Sequence, residues 1–153
     1  MSDAAVIRST NGEIGILTVN NPPVNALSAA VRTGLDEGVK AFGADPAIKA
    51  IVLIGGGRTF IAGADIREFG KPRGGTDLNE VIRIMENSPK LIVAALHGTP
   101  LGGGLATALG AHYRISVPTT RLGLPEVHLG ILPGAGGTQR LPRLTGAAYA
   151  LEA

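Results

Sequence analysis

Two short, continuous apolar runs constrain the fold of this chain more than any other feature. Residues 49–54 read KAIVLI and lead into three glycines, and residues 91–96 read LIVAAL. Apolar runs of this length, bounded by turn signals, are typical of strands buried on both faces of a parallel sheet. Between them, residues 76–87 repeat apolar side chains at helical spacing. This alternation of strands with a helix predicts an α/β protein.

The amino-terminal part adds a hairpin and a first helix. Asn11-Gly12 separates residues 5–8 from an alternating stretch at residues 14–18, and Asn-Gly supplies the positive φ of a tight turn at little steric cost. Ser28 is placed to cap a helix whose apolar face consists of Val31, Leu35, Val39 and Phe42. The sequence thus predicts two strands and a helix before the first buried strand.

Three further elements are predicted after the second buried strand. They are a helix over residues 102–110, a strand over 113–116 and a helix around 138–144. The chain ends at residues 147–153, where another helix begins. From the length, we expect residues 1–153 to form one domain.

The composition excludes several classes of function. The net charge of +2 is small, the 14 Lys and Arg residues are scattered, and aromatic residues make up only 3%, so a nucleic-acid interface is not supported. The absence of cysteine excludes disulfides, thiolate zinc sites and cysteine nucleophiles. Without a basic leader or an apolar run of about 18 residues, the chain is predicted to be soluble and cytoplasmic, with no membrane partner.

Three consecutive glycines, Gly102 to Gly104, stand directly before a predicted helix. Their unshielded amides, with Gly103 at the centre, can donate hydrogen bonds to a developing negative charge, and the helix dipole adds to this effect. The same glycines can instead serve close packing of the helix on the sheet. Taken alone, the turn leaves both interpretations open.

A second turn of small residues favours the chemical interpretation. Residues 60–66, FIAGADI, follow a strand-like run and present small residues at the positions where a bulky side chain would block access to the backbone. These residues, the glycine turn, LPEV at 124–127 and LPGAGGTQR at 132–140 occur in the order typical of the crotonase (enoyl-CoA hydratase/isomerase) family, which the chain resembles over nearly its whole length. The resemblance implies a spiral of β-β-α units, with the strands in two roughly perpendicular sheets and the helices outside. It also implies that residues 1–153 are a core that is incomplete at its carboxyl terminus and exposes apolar surface there, because family members continue further.

The segment 113–146 looks most similar to the hydratase part of bifunctional β-oxidation enzymes, in which a 3-hydroxyacyl-CoA dehydrogenase follows. The resemblance implies an acyl-CoA substrate, which itself carries the coenzyme A, and no metal or further cofactor. NAD is expected only if a dehydrogenase part follows. As partners, the resemblance implies either further copies of the chain or that covalently attached dehydrogenase.

The resemblance also assigns roles to individual residues. It implies that the amides of Ala64 and Gly103 bind the thioester carbonyl oxygen and stabilise the enolate, and that Glu126 is a catalytic acid/base. Adding water to a 2-enoyl thioester puts negative charge on that oxygen and needs a proton at the α-carbon, so these roles are chemically coherent. The residues that the resemblance implies to contact coenzyme A are Ala62, Ile66 and Arg67.

One position departs from the family pattern. The family's hydratases carry a second glutamate three residues beyond the central glycine, where this chain has Ala106. Three residues are almost one helical turn, so a carboxylate there would lie beside the thioester and could activate water. Thr107 points about 100° away around the helix and is not a replacement. Ala106 is either a natural divergence or an engineered substitution, and the sequence leaves both open.

Three functions stay open at this point. The leading one is hydration of 2-trans-enoyl-CoA to 3-hydroxyacyl-CoA in fatty-acid β-oxidation, slowed by Ala106. The alternatives are a Δ3-Δ2-enoyl-CoA isomerase that uses Glu126 alone and a non-catalytic acyl-CoA-binding module. His97 and His112 are expected to be structural, and the glycines at 55–57 lack the dinucleotide and P-loop patterns.

Overall fold

The chain alternates strands and helices in the order that the sequence predicts, which confirms the α/β class. The computed structural model describes residues 4–72 and 74–153. Its strands are β1 (Val6–Asn11), β2 (Ile14–Val19), β3 (Ala50–Gly55), β4 (Leu91–Leu96) and β5 (Tyr113–Ser116). Its helices are α1 (Ala29–Ala44), α2 (Leu78–Glu86), α3 (Gly103–Leu109), α4 (Gly137–Thr145) and α5 (Ala147–Glu152). Two short 3-10 helices span Ile66–Glu68 and Pro125–Leu129.

The strands form a five-stranded sheet in the order β1-β2-β3-β4-β5. The β1–β2 pair is antiparallel, and the following three pairs are parallel. The predicted hairpin is confirmed, but Asn11 pairs with Ile14 and so still belongs to the first strand. The loop is therefore Gly12-Glu13, in which Gly12 supplies the positive φ of 56°.

Helices α1 and α2 cover one face of the sheet. The Ser28 hydroxyl accepts a hydrogen bond from the Val31 amide at 3.4 Å, which confirms the predicted cap of α1. The predicted apolar face of α1 is buried, and it shares one core cluster with side chains of the sheet and of α2. Members of this cluster include Leu17, Val31, Leu35, Val39, Phe42, Ile51, Leu53, Val81, Met85 and Ile92.

Alternate side chains of β3 point away from this core. Ile51 and Leu53 are 0% and 1% exposed, whereas Val52 and Ile54 are only partly buried. The expectation that this strand is buried on both faces is therefore wrong for the described part of the chain. The physical reason is that the buried side chains of α1 and α2 join the same cluster as Ile51 and Leu53, so these helices cover one face.

The prediction of a second sheet is also wrong for the described residues. The expected sheet is reduced there to two isolated parallel bridges, Leu27–Ala64 and Leu101–Gly123. Gly63 has a φ of 127°, and the residue after Leu101 has a φ of 51°, so the extended backbone is interrupted beside each bridge and pairing does not spread into a ladder. The bridges still attach the loops that follow β3 and β4 to neighbouring segments.

Replacing Gly104 by alanine should destabilise the fold strongly. A Cβ atom on Gly104 would lie 2.0 Å from the carbonyl oxygen of Ile61, a backbone atom that a side-chain rotation cannot move away. We expect the free energy of unfolding to fall by about 3 kcal/mol or more, measured by denaturant titration. Gly134→Ala is the matched control, because a Cβ atom on Gly134 meets no atom within 4 Å. Equal stability of the two variants would contradict the close approach of the glycine turn to Ile61.

Candidate active site

The loop after β3 presents an unpaired amide at Ala64. Phe60 and Ile61 are fully buried and anchor the start of this loop. The Leu27 amide donates to the Gly63 carbonyl at 2.9 Å, and Leu27 pairs with Ala64 in the first bridge. In the described part of the chain, no group accepts a hydrogen bond from the Ala64 amide. This amide is therefore available to a ligand.

The middle glycine of the three-glycine turn is also unpaired. Gly102 adopts a φ of 51°, and its amide donates to the Gly123 carbonyl at 2.9 Å. The Gly104 amide donates to the Leu101 carbonyl at 2.8 Å. Across residues 4–72 and 74–153, nothing accepts from the Gly103 amide. Two of the three amides thus hold the turn in place, and that of Gly103 is left as a donor.

The two unpaired amides lie at the same place in the fold. A Cβ atom on Gly103 would lie 4.0 Å from the Ala64 nitrogen and 3.1 Å from side-chain atoms of both Leu27 and Leu78. Glycine at this position therefore permits the two turns to approach each other. Helix α3 has only seven residues, so the direct N–H donors matter more than its dipole. Such a donor pair can bind one oxygen that becomes negative.

The carboxyl group of Glu126 lies next to the glycine turn. Glu126 belongs to the 3-10 helix Pro125–Leu129, shortly after the second bridge. A Cβ atom on Gly102 would lie 3.1 Å from Glu126 Oε1, so the glycine leaves room for the carboxyl group. Glu126 Oε2 is buried and has no hydrogen-bond partner among the described residues. A buried polar atom without a partner is costly and uncommon in native structures, and this oxygen is available to a ligand.

Ala106 lies one helical turn beyond the glycines. Its side chain is 2% exposed and belongs to a small apolar cluster with Ile82 and Ala135. Thr107 is buried too, and its hydroxyl donates to the Gly103 carbonyl at 2.8 Å. That hydroxyl is therefore engaged within the helix, in agreement with the expectation that Thr107 does not replace a carboxylate.

The three residues implied to contact coenzyme A surround the first turn. The Ala62 amide donates to the Val24 carbonyl at 3.1 Å, and Ile66 is 70% exposed. Arg67 is exposed, and its guanidinium binds Asp65 through Nε–Oδ1 at 2.9 Å and Nη2–Oδ2 at 2.7 Å. A phosphate at Arg67 would therefore share the guanidinium with Asp65.

His97 and His112 both make backbone contacts that support the structural role expected of them. His112 Nδ1 accepts a hydrogen bond from the Ile92 amide at 3.0 Å, which joins β4 to the loop before β5. His97 Nε2 lies 3.2 Å from the Gly57 carbonyl oxygen. These contacts join neighbouring loops of the sheet.

Three polar residues that sequence reasoning missed brace the loop after β3. Asn25 is buried with a φ of 55°, and its side-chain amide donates to the Gly56 and Thr59 carbonyls, each at 2.8 Å. Arg32 and Glu68 form an ion pair at 3.0 Å. The partners are more than 30 residues apart, so no spacing signal in the sequence could have linked them.

The fold and the paired turns define a crotonase-type α/β protein. The sequence model of the family described as enoyl-CoA hydratase/isomerase matches residues 9–153. The solved structure of enoyl-CoA hydratase subunit I from Geobacillus kaustophilus superposes with a TM-score of 0.87 at 35% identity, covering 97% of this chain and 60% of that one. The chain belongs to the enoyl-CoA hydratase/isomerase family, as the sequence motifs predicted.

Similarity to bifunctional enzymes is confirmed as well. The peroxisomal bifunctional enzyme of Danio rerio is 50% identical over 139 residues, which are 91% of this chain and 19% of that protein. A probable enoyl-CoA hydratase of Bacillus subtilis (strain 168) is 44% identical over 146 residues, which are 91% of this chain and 57% of that protein. The chain therefore spans much less than the full length of these relatives.

The names of the relatives also bear on the predicted location. The relatives from Danio rerio and Homo sapiens are named peroxisomal, and the one from Cucumis sativus is named glyoxysomal. In the part of the chain that the structure describes, no helix has the length and apolar character needed to cross a membrane. The cytoplasmic location stays a prediction.

Removing the guanidinium of Arg67 should raise the pKa of Asp65. The hydrogen bond from the Arg67 side chain lowers the pKa of this carboxyl against the opposing effect of burial. We expect Arg67→Gln to return the pKa of Asp65 toward its ordinary value, measured by carbon-13 NMR titration, whereas Arg83→Gln leaves it unchanged. Because the folded-state pKa is lowered, the pair stabilises the fold near neutral pH, and this contribution disappears as the pH falls through the folded pKa. An unchanged Asp65 titration would contradict the pairing.

Proposed function

We propose that the chain binds an acyl-CoA thioester and hydrates 2-trans-enoyl-CoA to 3-hydroxyacyl-CoA, a step of fatty-acid β-oxidation. The observation that carries this proposal is the proximity of two unpaired amides, Ala64 and Gly103, to the glycine turn that also adjoins the buried Oε2 of Glu126. The amides suit a carbonyl oxygen that becomes negative, and the carboxyl group suits proton transfer at the α-carbon. The enoyl-CoA hydratases among the relatives support this choice of substrate.

In the proposed reaction, the oxygen of water bonds to C3 while the electrons of the C2–C3 double bond move toward the thioester carbonyl. The amides of Ala64 and Gly103 stabilise the resulting enolate oxygen. The electron pair then returns to C2, which takes a proton from Glu126, and the proton released by the added water restores the carboxyl group. One water is added, and neither a metal nor a cofactor takes part.

Ala106 makes this hydration slow. The family resemblance implies a second carboxylate at this position that activates water, whereas the alanine methyl group packs with Ile82 and Ala135. Glu126 then has to serve both the water and the α-carbon. Loss of one general acid/base typically costs a factor of about 10² to 10⁴ in rate.

A second candidate function, Δ3-Δ2-enoyl-CoA isomerisation, follows from the same lone carboxyl group. Glu126 would remove a proton from C2 of a 3-enoyl thioester, and the two amides would hold the dienolate oxygen. The proton would then return to C4 as the double bond moves to C2. This reaction needs a single base, so alanine at position 106 does not slow it.

The proposed function also includes contacts of three residues with coenzyme A and a partnership with other chains or an attached dehydrogenase. Ala62 and Ile66 adjoin the Ala64 amide, and the exposed Arg67 can meet a phosphate while it remains paired with Asp65. NAD takes part only if a dehydrogenase is attached, as the bifunctional relatives suggest. Association with further copies of the chain is the other partnership that the family resemblance implies.

Replacing Ala106 by glutamate should raise hydration of crotonyl-CoA by about 10² to 10⁴-fold, because it adds the second acid/base. The new carboxyl group displaces a methyl packed with Ile82 and Ala135, so we also expect the free energy of unfolding to fall by about 1 to 3 kcal/mol. The loss of enoyl absorbance measures the rate, and thermal melting measures the stability. Ala106→Gln is the control, with similar size and no base. A folded glutamate variant that hydrates no faster than the unmodified chain would exclude the slow-hydratase proposal.

Replacing Glu126 by glutamine should lower both hydration and isomerisation by about 10²-fold or more, because the side chain keeps its shape and loses its base. Binding of the unreactive butyryl-CoA should change little, since the two amides remain. Assays with 2-enoyl-CoA and 3-enoyl-CoA substrates measure the two reactions, and calorimetry measures binding. Isomerisation that survives in the glutamine variant would eliminate the second candidate. Failure of the unmodified chain to bind any acyl-CoA would contradict both functions and a pure binding module as well.

A further inference from the structure

One arginine of α1 binds four groups on neighbouring segments. Arg32 Nη1 donates to the Leu27 carbonyl at 2.7 Å and to Glu68 Oε2 at 3.0 Å. Arg32 Nε donates to the Thr76 carbonyl at 2.9 Å, and Nη2 donates to the Gly74 carbonyl at 2.6 Å. The Arg32 side chain is 12% exposed. Gly74 and Thr76 belong to one segment, so these bonds hold three segments. Because a guanidinium is planar and its N–H groups have fixed directions, the bonds fix these segments relative to one another.

Glu68 attaches the same network to the first turn of α1. Its Oε1 accepts a hydrogen bond from the Ala29 amide at 2.7 Å, and its Oε2 pairs with Arg32. Burial by itself would raise the pKa of Glu68, but the hydrogen bonds from Ala29 and Arg32 lower this pKa below its ordinary value. Glu68 is therefore charged near neutral pH and accepts at both oxygens.

The network holds the chain on both sides of Ala64. On one side, Leu27 donates its amide to the Gly63 carbonyl at 2.9 Å and pairs with Ala64, while its own carbonyl is bound by Arg32. On the other side, Glu68 ends the 3-10 helix that begins two residues after Ala64. The peptide that carries the Ala64 amide thus lies between two attachments to the start of α1.

The same network reaches the surroundings of Gly103. Thr76, whose carbonyl is bound by Arg32, shortly precedes α2, and the first residue of that helix is Leu78. Side-chain atoms of Leu78 and Leu27 would each lie 3.1 Å from a Cβ atom on Gly103. Arg32 therefore binds backbone groups at or near Leu27 and Leu78, the two residues whose side chains lie next to Gly103.

We infer that Arg32 and Glu68 are positioning residues that align the amides of Ala64 and Gly103 on one oxygen. Neither residue is assigned contact with the thioester or with the proton that moves, so both act through the backbone around Leu27. This inference rests on the proposed function, because it requires that the two amides bind the same carbonyl. If the two amides are misaligned, the carbonyl should be polarised less. The affinity for acyl-CoA should change less, since the contacts with the rest of the ligand persist.

The test measures polarisation directly, with butyryl-CoA labelled with carbon-13 at the thioester carbonyl. Isotope-edited infrared spectra of the bound ligand should show the carbonyl stretch of the unmodified protein at lower frequency than in solution. Glu68→Gln keeps the shape and removes the charge, and we expect it to lose about half of this shift, because one of two donors is no longer aimed at the oxygen. Turnover should fall roughly tenfold to a hundredfold through kcat, with KM little changed.

Glu80→Gln is the matched control, because it removes the same charge from an exposed Glu–Arg ion pair within α2, in which Glu80 Oε1 lies 2.6 Å from Arg83 Nη2. It should leave the carbonyl shift unchanged. Arg32→Lys keeps the charge but cannot bind all four groups, so it should lose a similar share of the shift, and it decides the test if Glu68→Gln does not fold. An unaltered shift in the folded variants overturns this inference alone. A shift absent from the unmodified protein overturns the proposed function beneath it.

Discussion

The rest of this site depends on one backbone contact, the approach of the three-glycine turn to the loop after β3. The Leu101 amide donates to the Ile61 carbonyl at 3.4 Å, and a Cβ atom on Gly104 would lie 2.0 Å from the same oxygen. Only a helix that begins without side chains can come this close to another backbone. The approach brings Gly103 beside Ala64, so the two amides that no other described group occupies lie close together.

The donors and the proton-transfer group have separate physical origins. The proposed donors are backbone amides, and two bridges, a buried asparagine and the ion pair of Arg32 with Glu68 hold the chain near them. The proposed acid/base is the side chain of Glu126. Under the proposed function, a change at position 106 alters proton transfer without removing the groups that polarise a carbonyl. The proposal therefore assigns the chain affinity for an acyl thioester together with a low rate of hydration.

Local patterns predicted the elements well because each rests on contacts within a few residues. The hairpin, the Ser28 cap and the buried face of α1 all follow from turn geometry, capping and helical period, and the structure confirms them. Predictions that depended on contacts between distant segments were less accurate. Val52 and Ile54 are only partly buried because the helices cover one face, and the expected second sheet is reduced to two bridges because positive φ at the glycines interrupts pairing.

The sequence by itself determined the α/β class, the family motifs and the identity of the residues at the centre of the site, including alanine at position 106. The tertiary structure decided which amides are free. In the described part of the chain, Gly102 donates to the Gly123 carbonyl of another loop, Gly104 donates to the Leu101 carbonyl of its own turn, and no group accepts from Gly103. The tertiary structure alone also joined Arg32 to Glu68 and left Glu126 Oε2 without a hydrogen-bond partner among the described residues. The physical reason is that hydrogen-bond occupancy and burial depend on segments distant along the chain, and no local period or spacing encodes those neighbours.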